Sequence, residues 1–287
     1  MTDFKNAAEL LEICRQDHKK ISEVMKQREC DLGEVSMDQI CKRMKKVLDV
    51  MRQSAVMPLE TTVKSMGGLI GGEARKLNQY QNRESGICGK VIGRGITYAM
   101  AVLEVNASMG VIVAAPTAGS AGVVPGVLLA LQQEYGFSDA QMTDALFHAG
   151  AIGYLAMRNA TVAGAVGGCQ AEVGIAAAMA AAAAVELMGG KPEQSLDAAT
   201  IVLMNMLGLV CDPVGGLVEY PCQNRNAAGV ANALIAAEMA LAGIRQLIPF
   251  DEMLDIMYQV GKRIPYELRE TALAGCAASP AGCRFCG

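Results

Sequence analysis

The apolar positions of this chain recur with the period of an α-helix over most of its length. Ile40, Met44, Val47, Leu48 and Met51 fall mostly three or four residues apart and so share one helical face. Ser36-Met37-Asp38-Gln39, just ahead of them, is a capping box: the serine hydroxyl caps the Gln39 amide and the Gln39 side chain caps that of Ser36. Lys42, Arg43, Lys45 and Lys46 form the opposite, solvated face. Residues 4–60 read as two amphipathic helices, the second opening at Ser36. A second capping box, Ser138 to Gln141, starts another helix. The segment 173–188, VGIAAAMAAAAAVELM, has high helix propensity and is apolar nearly all round, which predicts a buried central helix. Pro192 suits the first turn of the next helix. Further helical segments are expected near 88–109, 226–245 and 250–262. No run alternates apolar with polar residues and no fixed repeat is visible, so the expectation is an all-α fold in one domain spanning 1–287. Within it, 1–60 is an N-terminal helical pair, glycine-rich functional loops lie at helix ends, and 276–287 is a cysteine-containing tail without helical pattern.

Composition adds the manner of packing. Aromatic residues make up 4% of the chain, Trp is absent and there are 18 Met, so the core must be built from small and flexible side chains that let helices approach closely. The 31 glycines among 287 residues exceed the usual share of about 7%, and they concentrate in SMGGLIGGEA (65–74) and VAAPTAGSAGVVPG (113–126). The net charge of −4 comes with no basic patch, which excludes nucleic acid as a partner. The stretch Ala107–Leu131 carries no charge and is long enough to cross a bilayer. Pro116, Pro125, Thr117, Ser120 and its glycines break it, so no membrane span is expected. The polar N-terminus is not a secretory signal. Ten cysteines in such a chain are expected to be reduced thiols of a soluble, cytoplasmic protein. Cys14, Cys30, Cys41 and Cys88 have no readable spacing and read as inert.

Three other cysteines sit in turn chemistry: Cys169 in GGCQAEVG, Cys211 in LGLVCDPVGG and Cys222 in VEYPC. They are 42 and 11 residues apart (169 to 211, 211 to 222), which is not the CxxC spacing of a zinc ribbon. Thiolates on turns with free amides suit an iron–sulfur cluster. Zinc takes thiolates as well, and ordinary buried thiols fit the spacing equally. The loop Pro116-Thr117-Ala118-Gly119-Ser120 has the small residues and amides of a carboxylate nest, although a plain helix connection has the same composition. Ser65 and Gly68 belong to a second turn of this kind, and Asn106 near a helix end is a candidate for a substrate carboxylate or amine. His18 reads as surface. His148, among apolar residues, is a weak candidate base, a satisfied core histidine being the commoner case.

APTAGSAGVVPG, GGCQAEVG, NMLGLVCDPVGGLVEYPC, RNAAGVANALIAAEMALAGI and LRETALAG resemble, over essentially the whole chain, the α subunits of bacterial two-subunit iron–sulfur-dependent L-serine dehydratases (L-serine deaminases). The resemblance implies a [4Fe–4S] cluster held by Cys169, Cys211 and Cys222. One iron, lacking a cysteine, would act as the Lewis acid for loss of the β-hydroxyl. It implies no pyridoxal phosphate, products pyruvate and ammonia, and a separate β subunit with an ACT-like regulatory fold in a hetero-oligomer. It makes Pro116–Ser120 and Asn106 substrate-binding. Two features depart from the pattern. Gly67 and Ile70 stand where a typical TGLTGG turn has threonines, which bears on the substrate; L-cysteine or L-threonine are the alternatives, as is a non-catalytic amino-acid-binding paralogue. The tail ends in Cys283 and Cys286, either of which would serve as a plug on the open iron; incidental thiols are the plain alternative.

Overall fold

Every residue from Ile175 to Val185 is buried. This is the alanine-rich helix of the central position, α9 (Ile175–Leu187), continued backwards by one π-turn, Gln170–Gly174. The computed structural model describes residues 2–83 and 86–285. Around α9 pack α6 (Val123–Tyr135), α7 (Asp139–Asn159), α10 (Pro192–Asn205) and α11 (Cys222–Leu241). An outer layer is made by α2 (Ile21–Gly33) on α7, α3 (Met37–Glu60) and α5 (Gly89–Ala107) on one another, and α4 (Glu73–Arg83) on α5. The short α1 (Ala7–Gln16), α8 (Gly164–Gly167) and α12 (Phe250–Arg263) close the body. No strand occurs among the described residues; a single bridge pairs Cys211 with Arg269. The fold is all-α, as the periodicity indicates.

Both capping boxes form, with Ser36 bonded to Gln39 and Ser138 to Gln141, and Pro192 opens α10. Three elements differ from the expectation. Residues 4–60 hold three helices, not two, because the chain turns at Asp17–Lys20 with His18 left-handed (φ 54°). That stretch, Asp-His-Lys-Lys, has no apolar side chain to carry a helical face into the core. The exposed His18 thus sits on a turn instead of a helix. Helix α4 was not foreseen: it is polar almost throughout and buries only Ala74. The loop at 113–126 is also shorter than its glycines suggest, since α6 starts at Val123 and takes Pro125 into its first turn, where a missing N–H costs nothing. The apolar window Gln170–Leu187 is long enough to cross a membrane, yet 83% of it is buried inside the fold, so its hydrophobicity is that of a core helix.

Small residues set the helix spacing. A Cβ at Gly126 on α6 would come within 2.7 Å of the Gly95 carbonyl oxygen on α5 and 2.9 Å of Val230 on α11. At the far end of α9, Glu186 Oε2 lies 2.7 Å from Nδ1 of His148, which is fully buried on α7, and accepts the Ser22 amide of α2 at 3.3 Å. Burial raises the Glu186 carboxyl, but the His148 imidazole and the Ser22 hydrogen bonds outweigh it and hold the group at about 2.

Gly126→Ala gains about 1 kcal/mol of helix propensity and loses about 1–3 kcal/mol to overpacking against backbone that cannot yield. The net expectation is a lower urea midpoint with unchanged slope. Because the Glu186 pKa is depressed on folding, its contribution is present above the ordinary carboxyl pKa of 4.5 and lost as pH falls toward about 2. Glu186→Gln should therefore flatten stability against pH across that window. His148→Ala, leaving a buried carboxylate without its partner, should cost about 3–5 kcal/mol, read from urea melts at neutral pH.

Candidate active site

Several helix ends and loops meet at one end of the bundle. Cys169 immediately precedes the π-turn that feeds α9, Cys222 is the first residue of α11, and Cys211 lies in the extended segment between α10 and α11. Cys211 is fixed by the chain's C-terminal part: its amide donates to Leu268 O (2.8 Å) and its carbonyl accepts from Glu270 N (2.7 Å). All three cysteines are buried. The Cys169 and Cys211 sulfurs and a Glu172 oxygen all lie within 4.8 Å of one another. The Cys211 thiol points at Glu172 Oε2 (3.8 Å). Cys222 feels the charges of Cys169 and Glu172, and burial pushes its thiol up to about 12.

The thiols differ in their readiness to ionise. A hydrogen bond from Cys211 lowers the Cys169 thiol, against burial, and the Arg225 guanidinium adds to the effect. Cys211 is raised correspondingly, by that same bond and by burial. Arg225 Nη1 donates to Cys169 Sγ (3.5 Å) and to Val210 O (2.9 Å), while Nη2 pairs with Asp212 Oδ1 (2.6 Å). Burial raises Glu172, with Glu270 adding to the shift, and Thr117 opposes it.

The 116–120 loop reaches this group directly. Thr117 Oγ1 donates to Glu172 Oε1 (2.9 Å). Asn226, one turn into α11, holds the loop from behind: its Nδ2 donates to Gly119 O (2.8 Å) and its Oδ1 accepts from Gly122 N (3.0 Å). Asn106, next to the last residue of α5, donates to Ala118 O (3.4 Å). Ser120 is buried and its hydroxyl lies 3.1 Å from that of Thr117. Pro116 follows a cis peptide bond. The amides of Ala118 and Gly119 have no hydrogen-bond partner among the described residues.

The second turn is tied to the cysteine loop by Glu219. Its buried carboxylate accepts from Ser65 Oγ (2.7 Å), Gly67 N (2.6 Å) and Leu69 N (2.9 Å). Ser65 is thereby engaged internally, and Gly68 forms the left-handed corner of the turn (φ 71°). A Cβ at Gly67 would displace the exposed Leu217 side chain and come 2.9 Å from Glu219 Oε1. Ile70 is buried. A second buried carboxylate, Glu104, takes the Ala74 amide (2.9 Å) and Gln223 Nε2 (3.1 Å), its pKa raised by burial.

His148 is not brought to this end. It sits with Glu186, fourteen residues beyond Glu172 on a helical path, which is ~21 Å at 1.5 Å per residue. The tail packs on the cysteine loop: the Cys276 amide donates to Asp212 Oδ2 (2.6 Å), and the Phe285 carbonyl rests against Gly215. The Cys283 thiol is exposed and turned toward Ala277 O (3.7 Å). Cys286 lies outside the described residues.

The donor set fits a thiolate-bound metal centre. Two buried cysteines, Cys169 and Cys211, converge with Glu172, while buried Cys222 stands outside that group; the space beside them is kept by Gly164, where a Cβ would stand 3.2 Å from Cys211 Sγ and 2.6 Å from Glu172 Oε2. Sequence reasoning singled out the cysteines and the 116–120 loop but missed Glu172, Glu219, Arg225 and Asn226. Glu172 had a signal, being the sole charge between Arg158 and Glu186; a lone charge in an apolar run needs a partner or a task.

Residues 16–277 match the family model described as serine dehydratase alpha chain. The chain is 50% identical over 279 residues to a probable L-serine dehydratase, alpha chain, of Bacillus subtilis (strain 168), covering 97% of this chain and 93% of the relative. It is 44% identical over 279 residues to the L-serine dehydratase, alpha chain, of Peptoniphilus asaccharolyticus, covering 97% and 96%. Against L-serine dehydratase TdcG of Escherichia coli (strain K12) it is 35% identical over 281 residues, covering 96% of this chain and 62% of that longer one. By the extent of these matches, the chain belongs to the serine dehydratase alpha chain family.

Proposed function

We propose that this chain is the catalytic subunit of an iron–sulfur-dependent, pyridoxal-phosphate-independent lyase that dehydrates L-serine to pyruvate and ammonia in the cytoplasm. It would work in a hetero-oligomer with a β subunit bearing an ACT-like regulatory fold. The single observation that carries the reading is the convergence of the Cys169 and Cys211 sulfurs on Glu172, directly against the Thr117–Ser120 loop. The relatives' names supply the substrate, and "alpha chain" supplies the partner.

Cys169, Cys211 and Cys222 would hold a [4Fe–4S] cluster. When bound, it supplies a Lewis-acidic iron, free of cysteine, for departure of the β-hydroxyl. The chain's own residues do the rest. The free amides of Ala118 and Gly119 offer donors to the substrate carboxylate, as a backbone nest does. Pro116 and Asn226 keep that loop in shape, and Asn106 closes it from α5. Glu172, oriented by Thr117, offers the substrate ammonium a carboxyl acceptor. The Ser65–Gly68 turn, fastened by Glu219, forms the facing wall.

That wall also favours a second reading of the substrate. Its polar capacity is consumed by Glu219, and Gly67 and Ile70 present no hydroxyl. A site without those donors discriminates less by hydrogen bonding, which is why L-threonine and L-cysteine belong in the same assay.

Co-expression with the β subunit under anaerobic conditions should give brown protein that releases pyruvate from L-serine and bleaches in air. Replacing Cys169, Cys211 or Cys222 singly by Ser should remove colour, iron and turnover together. Colourless, zinc-bearing protein would sink the reading, and brown protein active only on L-threonine or L-cysteine would move the substrate. If Cys283 or Cys286 plugs the open iron, the double variant Cys283→Ser/Cys286→Ser should show a lower KM for serine. An unchanged KM would leave both as incidental thiols.

A further inference from the structure

One guanidinium touches every segment that carries a cysteine of the site. Arg225 stands three residues after Cys222, so it shares the first turn of α11. Its Nη1 reaches back to Cys169 Sγ (3.5 Å) and to the carbonyl of Val210, the residue before Cys211 (2.9 Å). Its Nη2 pairs with Asp212, the residue after Cys211 (2.6 Å), and the other Asp212 oxygen takes the Cys276 amide (2.6 Å). The side chain is 16% exposed and that of Asp212 4%. A planar fork with fixed donors can bridge several acceptors in one geometry, which a flexible ammonium cannot.

We propose that Arg225 is a positioning residue for the metal–thiolate centre and also its electrostatic counterweight. The fork fixes the register of the Cys169 segment, the extended Cys211 segment and the C-terminal segment relative to α11. Its charge, set against one ligand sulfur, offsets the negative charge of three thiolates. Hydrogen bonds to ligand sulfurs and nearby charge are what set the potential of such centres. A cation at this distance raises it, so the reduced form is favoured and loss of an electron to an oxidant is disfavoured. The second half of the proposal rests on the reading of the three cysteines as cluster ligands; the first does not.

The test compares wild type, Arg225→Met, Arg225→Lys and Asp212→Asn, each with the β subunit, with far-UV circular dichroism confirming the helical fold. In metal-free protein, amide hydrogen exchange at Cys276 reads the clamp. Arg225→Met and Asp212→Asn should speed it by roughly tenfold, the loss of one charge-assisted hydrogen bond. After anaerobic reconstitution, the midpoint potential followed by electron paramagnetic resonance reads the charge. Arg225→Met should shift it to lower potential and retain less iron, while Arg225→Lys restores the potential but not the slow exchange. Wild-type exchange at Cys276 in folded Arg225→Met overturns the clamp, and a wild-type potential in that variant overturns the counterweight. A wild type that binds no cluster would instead defeat the reading of the cysteines, and the exchange measurement would still decide the clamp. Should Arg225→Met not fold, the exchange rates of Arg225→Lys and Asp212→Asn decide it.

Discussion

The close approach of helix backbones is the constraint on which everything else rests. A helix whose buried surface is almost all alanine gives neighbours no knobs to separate them, so α6, α7, α10 and α11 crowd α9 from every side. Gly95 and Gly126 do the same for α5 and α6. Tight spacing brings the helix ends together as well, and the site is made of those ends. Larger side chains in this core would move the Cys169 segment, the 117–122 turn and the start of α11 apart by a proportion of the added radius, and hydrogen bonds of 2.8–3.0 Å do not stretch.

A second consequence is the handling of charge. An apolar core of this kind can bury an ionisable group only if it is matched. The bundle does this differently at its two ends. At one, Glu186 is matched by His148 and the Ser22 amide, an arrangement that ties α2 and α7 to α9 and involves no other titrating group of the site. At the other, Glu172, Glu219, Glu104, Asp212 and Arg225 each take backbone amides, hydroxyls or one another as partners. The buried carboxylates there do not simply stabilise. They are the struts between loops that have no helical hydrogen bonds of their own, and so they set where the cysteines and the loop amides point.

Much of this was legible beforehand. Capping boxes at Ser36 and Ser138, the proline at the head of α10 and the apolar run of α9 are local signals with local causes, and they held. The three cysteines are placed differently from the turns expected of them: Cys169 and Cys222 stand at helix starts beside Gly168 and Pro221, and Cys211 lies in an extended segment bridged to Arg269. The failures share a different cause. The break at His18 and the polar helix α4 depend on which short segments find anything to pack against, and periodicity alone does not carry that information. His148 shows the limit most clearly. An isolated histidine among apolar residues reads the same whether it lies beside the cysteines or, as here, ~21 Å along the helix from Glu172.

By itself, the sequence determined the class of the fold, the core helix, the loops that bear function and the residue types available for chemistry, because each follows from composition and spacing within a few turns of chain. The tertiary structure alone decided the partnerships: Thr117 with Glu172, Glu219 with the Ser65–Leu69 turn, Asn226 with Gly119 and Gly122, Arg225 with Cys169, Val210 and Asp212. These join residues from 13 to 154 positions apart, as in Asp212–Arg225 at 13 and Ser65–Glu219 at 154. No local rule fixes such pairs, since they exist only once helix packing has brought distant loops within the reach of a hydrogen bond.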